Sequence, residues 1–171
     1  MVRVIDGETL VERAGRMLAG VCSTCVVADG ARNLHPQLES VPDGPGRGPA
    51  AGILGAARAY PDRALLVLAC DLPAVPTSLI ADIARLAGDW AAPRWQGRLE
   101  PLCALYRPAA LSVIERRALA GRFALHSLEQ ANLSLCYLEG EALDRHGEPA
   151  RIFANLNRPE DLRRFLSSLA V

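Results

Sequence analysis

The stretch Leu65–Pro76 constrains the fold more than any other part of the chain. Leu65–Ala69 is an unbroken apolar run, too short for an independent helix, and it predicts a strand covered on both faces. Pro73 and Pro76 cannot donate to a strand ladder, so the strand must end near Asp71. Ligands bind at the carboxyl ends of strands in open α/β sheets, where a carboxylate can hold Mg²⁺ against a phosphate. Asp71 is therefore a candidate metal ligand; the alternative is an aspartate that only caps a turn.

The composition is that of a globular chain without a strong charge bias. Half of the 171 residues are apolar and 22% are charged, which suits one domain with a real core. The 19 acidic residues balance 19 basic ones, so no net field attracts nucleic acid or a membrane surface. All the basic residues are arginine, which removes a lysine-based phosphate clamp.

The sequence shows neither a signal peptide nor an apolar stretch of membrane-spanning length. Five cysteines, an odd number, are expected to be small buried side chains in a reducing environment, Cys70 among them. Cys22 and Cys25 form a Cys-x-x-Cys pair, but no second Cys or His pair follows at zinc spacing, which disfavours a metal or redox centre. We therefore predict a cytoplasmic protein with no membrane or nucleic-acid partner.

Strand and helix patterns alternate along the chain and predict a three-layer α/β fold in a single domain, residues 1–171. The expected strands are Met1–Ile5, Cys22–Ala28, Leu38–Val41, Leu65–Ala69, a hairpin of Ala91–Trp95 and Leu99–Tyr106, Leu133–Leu138 and Ile152–Phe153. The expected helices are Thr9–Leu18 and Thr77–Leu86, each capped by its threonine, and Ala50–Tyr60, Pro108–Leu119, Phe123–Ala131 and Pro159–Leu169.

A glycine-rich segment, Asp43–Gly52, leads into the second of these helices and contains four glycines and two prolines. Glycines let backbone amides approach a ligand closely, and a helix N-terminus attracts anions. The segment is therefore a candidate ligand-binding loop; a plain surface loop is the alternative.

Four motifs, in order along the chain, now agree with one family. Asp43 with the run Gly48–Gly52 is similar to an aspartate followed by a Pro-Leu-Ala-Gly-type loop, and Cys70–Pro73 to a metal-binding Cys-Asp-x-Pro strand end. Pro101–Tyr106 matches Pro-Leu-x-Ala-Leu-Tyr, and Asn155–Leu162 matches Asn-x-Asn-x-Pro-Glu-Asp-Leu. With these motifs the chain resembles the molybdenum cofactor guanylyltransferases, which have a three-layer Rossmann-like nucleotidyltransferase fold with a mostly parallel sheet.

The resemblance implies a reaction in which GMP is transferred from Mg²⁺-GTP to molybdopterin with release of pyrophosphate. By the same resemblance Asp71 is the catalytic carboxylate that holds Mg²⁺. Asp43 lies nearer the guanine or ribose, while Gly48 and Gly52 let the backbone approach. The resemblance further implies that Asn155 and Asn157 bind the pterin substrate, although Asn157 is also suited to cap the last helix. A homo-oligomer or contact with molybdoenzyme maturation proteins is a further expectation.

The chain also departs from this family at its beginning. Members open with a strand and a Leu-Ala-Gly-Gly-x-x-x-Arg-Met-Gly-x-x-x-Lys loop around the phosphates, whereas here Val4–Leu10 resembles the segment after that loop. The fold is thus expected to be N-terminally truncated, either as a fragment or as a relative whose sheet has closed over the gap. Two alternative functions stay open: a non-catalytic nucleotide-binding or scaffold protein, and a nucleotidyltransferase using CTP or a sugar phosphate.

Two further residues are expected to have no part in a site. His126 lies in an amphipathic segment and is expected to be a surface or packing residue. Glu100, between Leu99 and Pro101, is expected to be a solvated glutamate at a strand end; a position facing the cleft is the alternative.

Overall fold

Strands and helices alternate through the fold, which a computed structural model describes for residues 4–5 and 7–169. The strands are β1 Val4–Ile5, β2 Glu8–Thr9, β3 Val26–Ala28, β4 Glu39–Val41, β5 Leu65–Leu68, β6 Trp90–Trp95, β7 Arg98–Leu99, β8 Cys103–Tyr106 and β9 Leu135–Leu138. The helices are α1 Leu10–Ala19, α2 Pro49–Ala59, α3 Thr77–Arg85, α4 Pro108–Leu119, α5 Glu141–Asp144, α6 Pro149–Ile152 and α7 Pro159–Leu169, with a 3₁₀ helix at Leu125–Gln130.

The main sheet has the order β5–β8–β6, with β9 on the far side of β6 and β7 paired to the end of β6. β8 runs antiparallel to β5, from Leu65 opposite Tyr106 to Leu68 opposite Cys103, and antiparallel to β6. β9 runs parallel to β6. The α/β class is confirmed, but the expectation of a mostly parallel sheet is wrong. β6 and β8 belong to one hairpin, and its second strand inserts between β5 and β6, so the sheet is mixed.

Helices cover both faces of this sheet and make the three expected layers. On β8, Ala104 and Tyr106 face one layer and Cys103 and Leu105 the other, as strand alternation requires. The first layer is formed by α2 and α4, which bury Ile53, Leu54, Ala110, Leu111 and Ile114. The second is formed by α1 and α3, which bury Met17, Leu79, Ile80 and Ile83. Most of the hydrophobic stabilisation comes from these two apolar clusters.

A second, smaller sheet consists of β3 and β4, which run parallel with Val26 opposite Glu39 and Ala28 opposite Val41. α1 and α2 each pack against both β3 and β5. Within the described part of the chain, however, β3 and β5 belong to separate hydrogen-bonded sheets. The expectation that the sheet has closed over a gap is therefore wrong for the described residues. All four residues of β5 are only half-buried, whereas those of β8 are fully buried.

Local sequence signals succeed where a cap or a proline fixes the helix start. Thr9 caps α1 in a full capping box: its hydroxyl accepts from Glu12 N–H, and Glu12 Oε2 accepts from Thr9 N–H. Thr77 is not a cap, because α3 begins at Thr77 itself after Pro76.

The other departures from expectation are short segments. The expected strand Ile152–Phe153 is wrong, since Pro149 starts a helical turn there; Phe123–Ala131 forms only the 3₁₀ helix; and the Cys22–Ala28 strand is reduced to β3. The expected strand Leu99–Tyr106 is interrupted between β7 and β8, and residues 1–3 of the first expected strand lie outside the described residues. Cys70 is exposed rather than buried, and none of the five cysteines, all within the described residues, forms a disulfide. None of the described helices is long and apolar enough to cross a membrane.

Candidate functional site

Asp71 lies in a tight turn directly after β5, as the sequence predicts. The turn spans Ala69–Leu72 and is closed by Leu72 N–H donating to the Ala69 carbonyl at 3.2 Å. The backbone N–H of Leu156 donates to the Asp71 carbonyl at 2.9 Å. This bond ties the middle of the Asn155–Asn157 motif to the turn that carries the candidate metal carboxylate. Two motifs far apart in sequence therefore meet at one edge of the sheet.

Glu100 lies beside this turn, in contrast to the solvated position expected for it. It opens a second turn, Glu100–Cys103, closed by Cys103 N–H donating to the Glu100 carbonyl at 3.1 Å. Ala69 N–H donates to the Leu102 carbonyl at 2.7 Å and joins the two turns. Glu100 is half-buried, and burial raises the pKa of its carboxyl; His126 opposes this rise and the charge of Asp71 adds to it. His126 itself is exposed, as expected.

Asp43 follows β4 and lies against the end of β3. A Cβ on Gly30 would come within 3.2 Å of Asp43 Oδ2, and Gly30 has a positive φ of 66°. Asp43 is exposed. Helix α2 connects β4 to β5 along the chain. Asp43 and Asp71 nevertheless follow strands of different sheets.

The glycines of the 43–52 segment have different physical roles. Gly48 caps α2 with φ 58° and ψ −147°, a backbone region open essentially to glycine alone, and its surroundings are open. Pro49 follows as the first helical residue, and the first turn of α2 contains no acidic side chain. Gly52 instead lets α2 approach β3, because a Cβ there would lie 3.2 Å from the Cβ of Ala28. Gly46 packs against Phe123, close to the Gly121–His126 segment.

Asn155 lines a shallow cleft of about 290 Å³ together with Arg151 and Arg164. A neighbouring cleft of about 470 Å³ lies between α1, the start of α3 and α7. Asp71 and Asp43 line neither of these two clefts. Asn157 is exposed; Arg158 lies between it and α7, and the Arg158 N–H donates to Asp161 Oδ2 at 2.7 Å.

The residues near Asp71 have the chemistry that a magnesium ion prefers. Mg²⁺ binds through one or two carboxylates and keeps its other positions for water and phosphate oxygens. Asp71 and Glu100 supply carboxylates of this kind, although no group of three acidic, histidine or cysteine side chains in the described residues is arranged to hold a metal ion. Burial raises the pKa of the Cys22 and Cys25 thiols, so this pair is not poised as thiolate ligands.

Asp29 lies at the end of β3, and the sequence alone does not indicate its role. It follows β3, is only 4% exposed, and accepts hydrogen bonds from Leu34 N–H at 2.8 Å, Arg32 N–H at 3.0 Å and the Ser40 hydroxyl. In the sequence, Asp29 and Gly30 indicate only the end of a strand. The available signal was the position of an aspartate at a strand end, the same signal that singled out Asp71.

Comparisons with known proteins agree with this geometry. The family model for the MobA-like NTP transferase domain matches residues 1–133. A probable molybdenum cofactor guanylyltransferase of Chloroflexus aggregans is 32% identical over 92% of this chain and 79% of its own length, and one of Opitutus terrae is 35% identical over 92% and 81%.

Solved structures give the same result. Molybdopterin-guanine dinucleotide biosynthesis protein A of Archaeoglobus fulgidus aligns with 98% of this chain and 89% of its own, at a TM-score of 0.78 and 26% identity. A protein of Aquifex aeolicus shares the fold at a TM-score of 0.67 and 17% identity. The resemblance read from four motifs is confirmed over nearly the whole chain, and the chain belongs to the MobA-like nucleotidyltransferase family that includes the molybdenum cofactor guanylyltransferases.

Proposed function

We propose that this chain transfers a guanylyl group from GTP to molybdopterin. The molybdopterin phosphate oxygen forms a bond to the α-phosphorus of GTP, and the bond from that phosphorus to the bridging oxygen of the leaving pyrophosphate breaks. The names of the relatives support this substrate pair. The observation on this chain that carries the proposal is the bond from Leu156 N–H to the Asp71 carbonyl, which joins the nucleotide-side turn to the Asn155–Asn157 motif.

The chemistry requires positioning and charge neutralisation rather than a general base. A phosphate nucleophile is already anionic at pH 7, so the protein has to align two anions and offset their repulsion. Mg²⁺, when bound, neutralises charge on the phosphate oxygens, and Asp71 would hold it. The first turn of α2 behind Gly48 offers backbone N–H groups and the positive end of the helix dipole to the same phosphates.

Each of the other proposed site residues would contact either GTP or molybdopterin, except Gly52. Asp43, exposed after β4, would contact the guanosine, and Gly48 would let the backbone approach it closely. Asn155 and Asn157 would offer amide donors and acceptors to the pterin. Gly52 would act indirectly, by holding α2 against β3. The cytoplasmic location, a homo-oligomer and a contact with maturation proteins stay predictions.

An assay of dinucleotide formation tests this proposal. The full chain is incubated with Mg²⁺, GTP and molybdopterin, and the product is quantified by chromatography and mass. Asp71→Asn is expected to lower kcat/KM by about a hundredfold or more, because the Mg²⁺ that neutralises the phosphates would lose a charged ligand. Asp62→Asn is the control, since Asp62 is exposed in the loop after α2 and asparagine tolerates its positive φ of 62°. Absence of product from the unmodified chain, or full activity of Asp71→Asn, would contradict the proposal.

A second candidate function is nucleotide binding without transfer. The chain contains no lysine, so an arginine or a backbone amide must supply any phosphate contact that a lysine would make. Calorimetry with GTP and with CTP, each with and without Mg²⁺, separates the candidates. Mg²⁺-dependent GTP binding with no product formation would favour this second function, and preferential CTP binding would favour a different nucleotide.

A further inference from the structure

Two adjoining turns place two acidic residues at the same edge of the main sheet. Asp71 lies in the Ala69–Leu72 turn after β5, and Glu100 opens the Glu100–Cys103 turn before β8. The bond from Ala69 N–H to the Leu102 carbonyl, 2.7 Å long, fixes one turn against the other. The two carboxylates are therefore carried by backbone segments that cannot move independently.

The direction of β8 explains why Glu100 reaches this edge. β8 runs antiparallel to β5, so the segment before β8 lies where β5 ends. Leu99 and Pro101, the neighbours of Glu100 in sequence, are both buried and hold its backbone in place. Glu100 N–H also donates to the Pro93 carbonyl at 3.1 Å, which anchors the residue to β6.

Neither carboxylate makes a hydrogen bond or an ion pair in the described part of the chain, and of the groups that act on Glu100 only His126 opposes the repulsion from Asp71. Other shielded acids of the fold are satisfied: Asp29 accepts three hydrogen bonds, and Asp82 accepts from Arg145 at 2.5 Å and lies 3.0 Å from His146 Nε2. The carboxylates of Asp71 and Glu100 make neither a hydrogen bond nor an ion pair among residues 4–5 and 7–169. A half-buried carboxylate beside a second one is unfavourable without a compensating cation.

We propose that Glu100 is a second carboxylate of the magnesium site at the end of β5, acting together with Asp71. The inference rests on the proposed function, because it adds a ligand to the ion that this function requires. Asp71 and Glu100 would supply the one or two carboxylates that Mg²⁺ takes from a protein, with water and the phosphates of GTP as its other ligands.

Metal binding measured without turnover tests the role of Glu100. Mn²⁺ serves as the probe, and its affinity for the full chain is measured by water-proton relaxation in the presence of GTP. Glu100→Gln and Asp71→Asn are each expected to weaken Mn²⁺ binding by about tenfold or more. The double variant is expected to bind little more weakly than the worse single variant, because the two residues act on one ion. Glu100→Asp, which keeps the charge on a shorter side chain, is expected to lose less affinity than Glu100→Gln.

Thermal unfolding in a metal chelator gives an independent readout. Without metal the two carboxylates repel, so Glu100→Gln is expected to raise Tm by about 2–4 °C. Added Mg²⁺ and GTP should then stabilise the unmodified chain more than the variant. Glu141→Gln, at an exposed glutamate of α5, is the control and should leave both measurements unchanged.

The outcomes separate this inference from the proposed function. If Glu100→Gln binds Mn²⁺ as the unmodified chain does while Asp71→Asn does not, the inference is overturned and the proposed function stands. If neither variant changes Mn²⁺ affinity, or the unmodified chain binds no Mn²⁺, the magnesium role of Asp71 fails as well. Loss of affinity in both variants, with dinucleotide formation absent from the unmodified chain, would support the metal site and refute guanylyl transfer.

Discussion

The carboxylate of Asp29 is held in its charged form by its neighbours, although it is 4% exposed. Burial acts to raise the pKa of Asp29. The hydrogen bonds from Leu34 N–H, the Ser40 hydroxyl and Arg32 N–H outweigh burial and leave the pKa below its ordinary value. These bonds fix the loop that follows β3, on the side where Asp43 lies. The side chain of Asp71 has no such donors among the described residues, and its role as a metal ligand stays a prediction.

We predict that Asp29→Asn lowers the free energy of unfolding by about 2 kcal/mol near pH 6, because charged hydrogen bonds are replaced by weaker ones. A depressed pKa in the folded state contributes stability above the unfolded pKa of about 4, and that stability is lost as the pH falls through the folded pKa. The difference between the unmodified chain and the variant should therefore shrink below about pH 4. Urea unfolding between pH 3 and 7 measures it. A difference that is constant over this range would refute the electrostatic explanation.

At the scale of one element, glycine residues in α2 allow the helix to approach the end of β4 closely. A Cβ on Gly55 would lie 2.0 Å from the carbonyl oxygen of Pro42, whereas a Cβ on Gly52, in the same helix, would lie 3.2 Å from the Cβ of Ala28. Both changes to alanine gain about 1 kcal/mol of helix propensity. Gly55→Ala must also displace backbone, so we expect it to lower the free energy of unfolding by about 3 kcal/mol, and Gly52→Ala to be nearly neutral. Equal effects in urea unfolding would show that the approach of α2 to β4 is not tight.

Elements with a local signal could be predicted from sequence, and pairing between distant strands could not. The capping residue Thr9, Pro49 after Gly48, and Pro108 mark the starts of α1, α2 and α4. Nothing local to Glu100 records that β8 inserts antiparallel beside β5, since that depends on pairing between strands more than 30 residues apart. The sequence predicts Asp71 as a site residue because it follows a strand. For Glu100, which precedes one, the sequence leaves a position at the cleft open but favours a solvated strand end, because the pairing of β8 with β5 has no local signal.

For the whole molecule, the separation of two sheets implies two levels of stability. β6 and β8 are paired on both sides and fully buried at their centres, whereas β3 and β4 form a sheet of three residue pairs held by α1 and α2. Regions with few buried contacts and short ladders open without global unfolding. We predict that the amides of β3 exchange with solvent through openings that cost at least about 2 kcal/mol less than those of β8.

Native-state hydrogen exchange with a paired set of core variants measures this difference. Val41→Ala, at a side chain of β4 that is 1% exposed, should lower the opening free energies of β3 and β8 alike by about 1–2 kcal/mol, because the packing of Val41 is lost both in a local opening of β3 and β4 and in global unfolding. Leu105→Ala, in the core of β8, removes packing from the main sheet and should lower the opening free energy of β8 by more than that of β3. In a single cooperative unit, each substitution would lower the opening free energy of every slow amide by the same amount. Equal decreases in β3 and β8 for both variants would therefore show that α1 and α2 couple the two sheets into one unit.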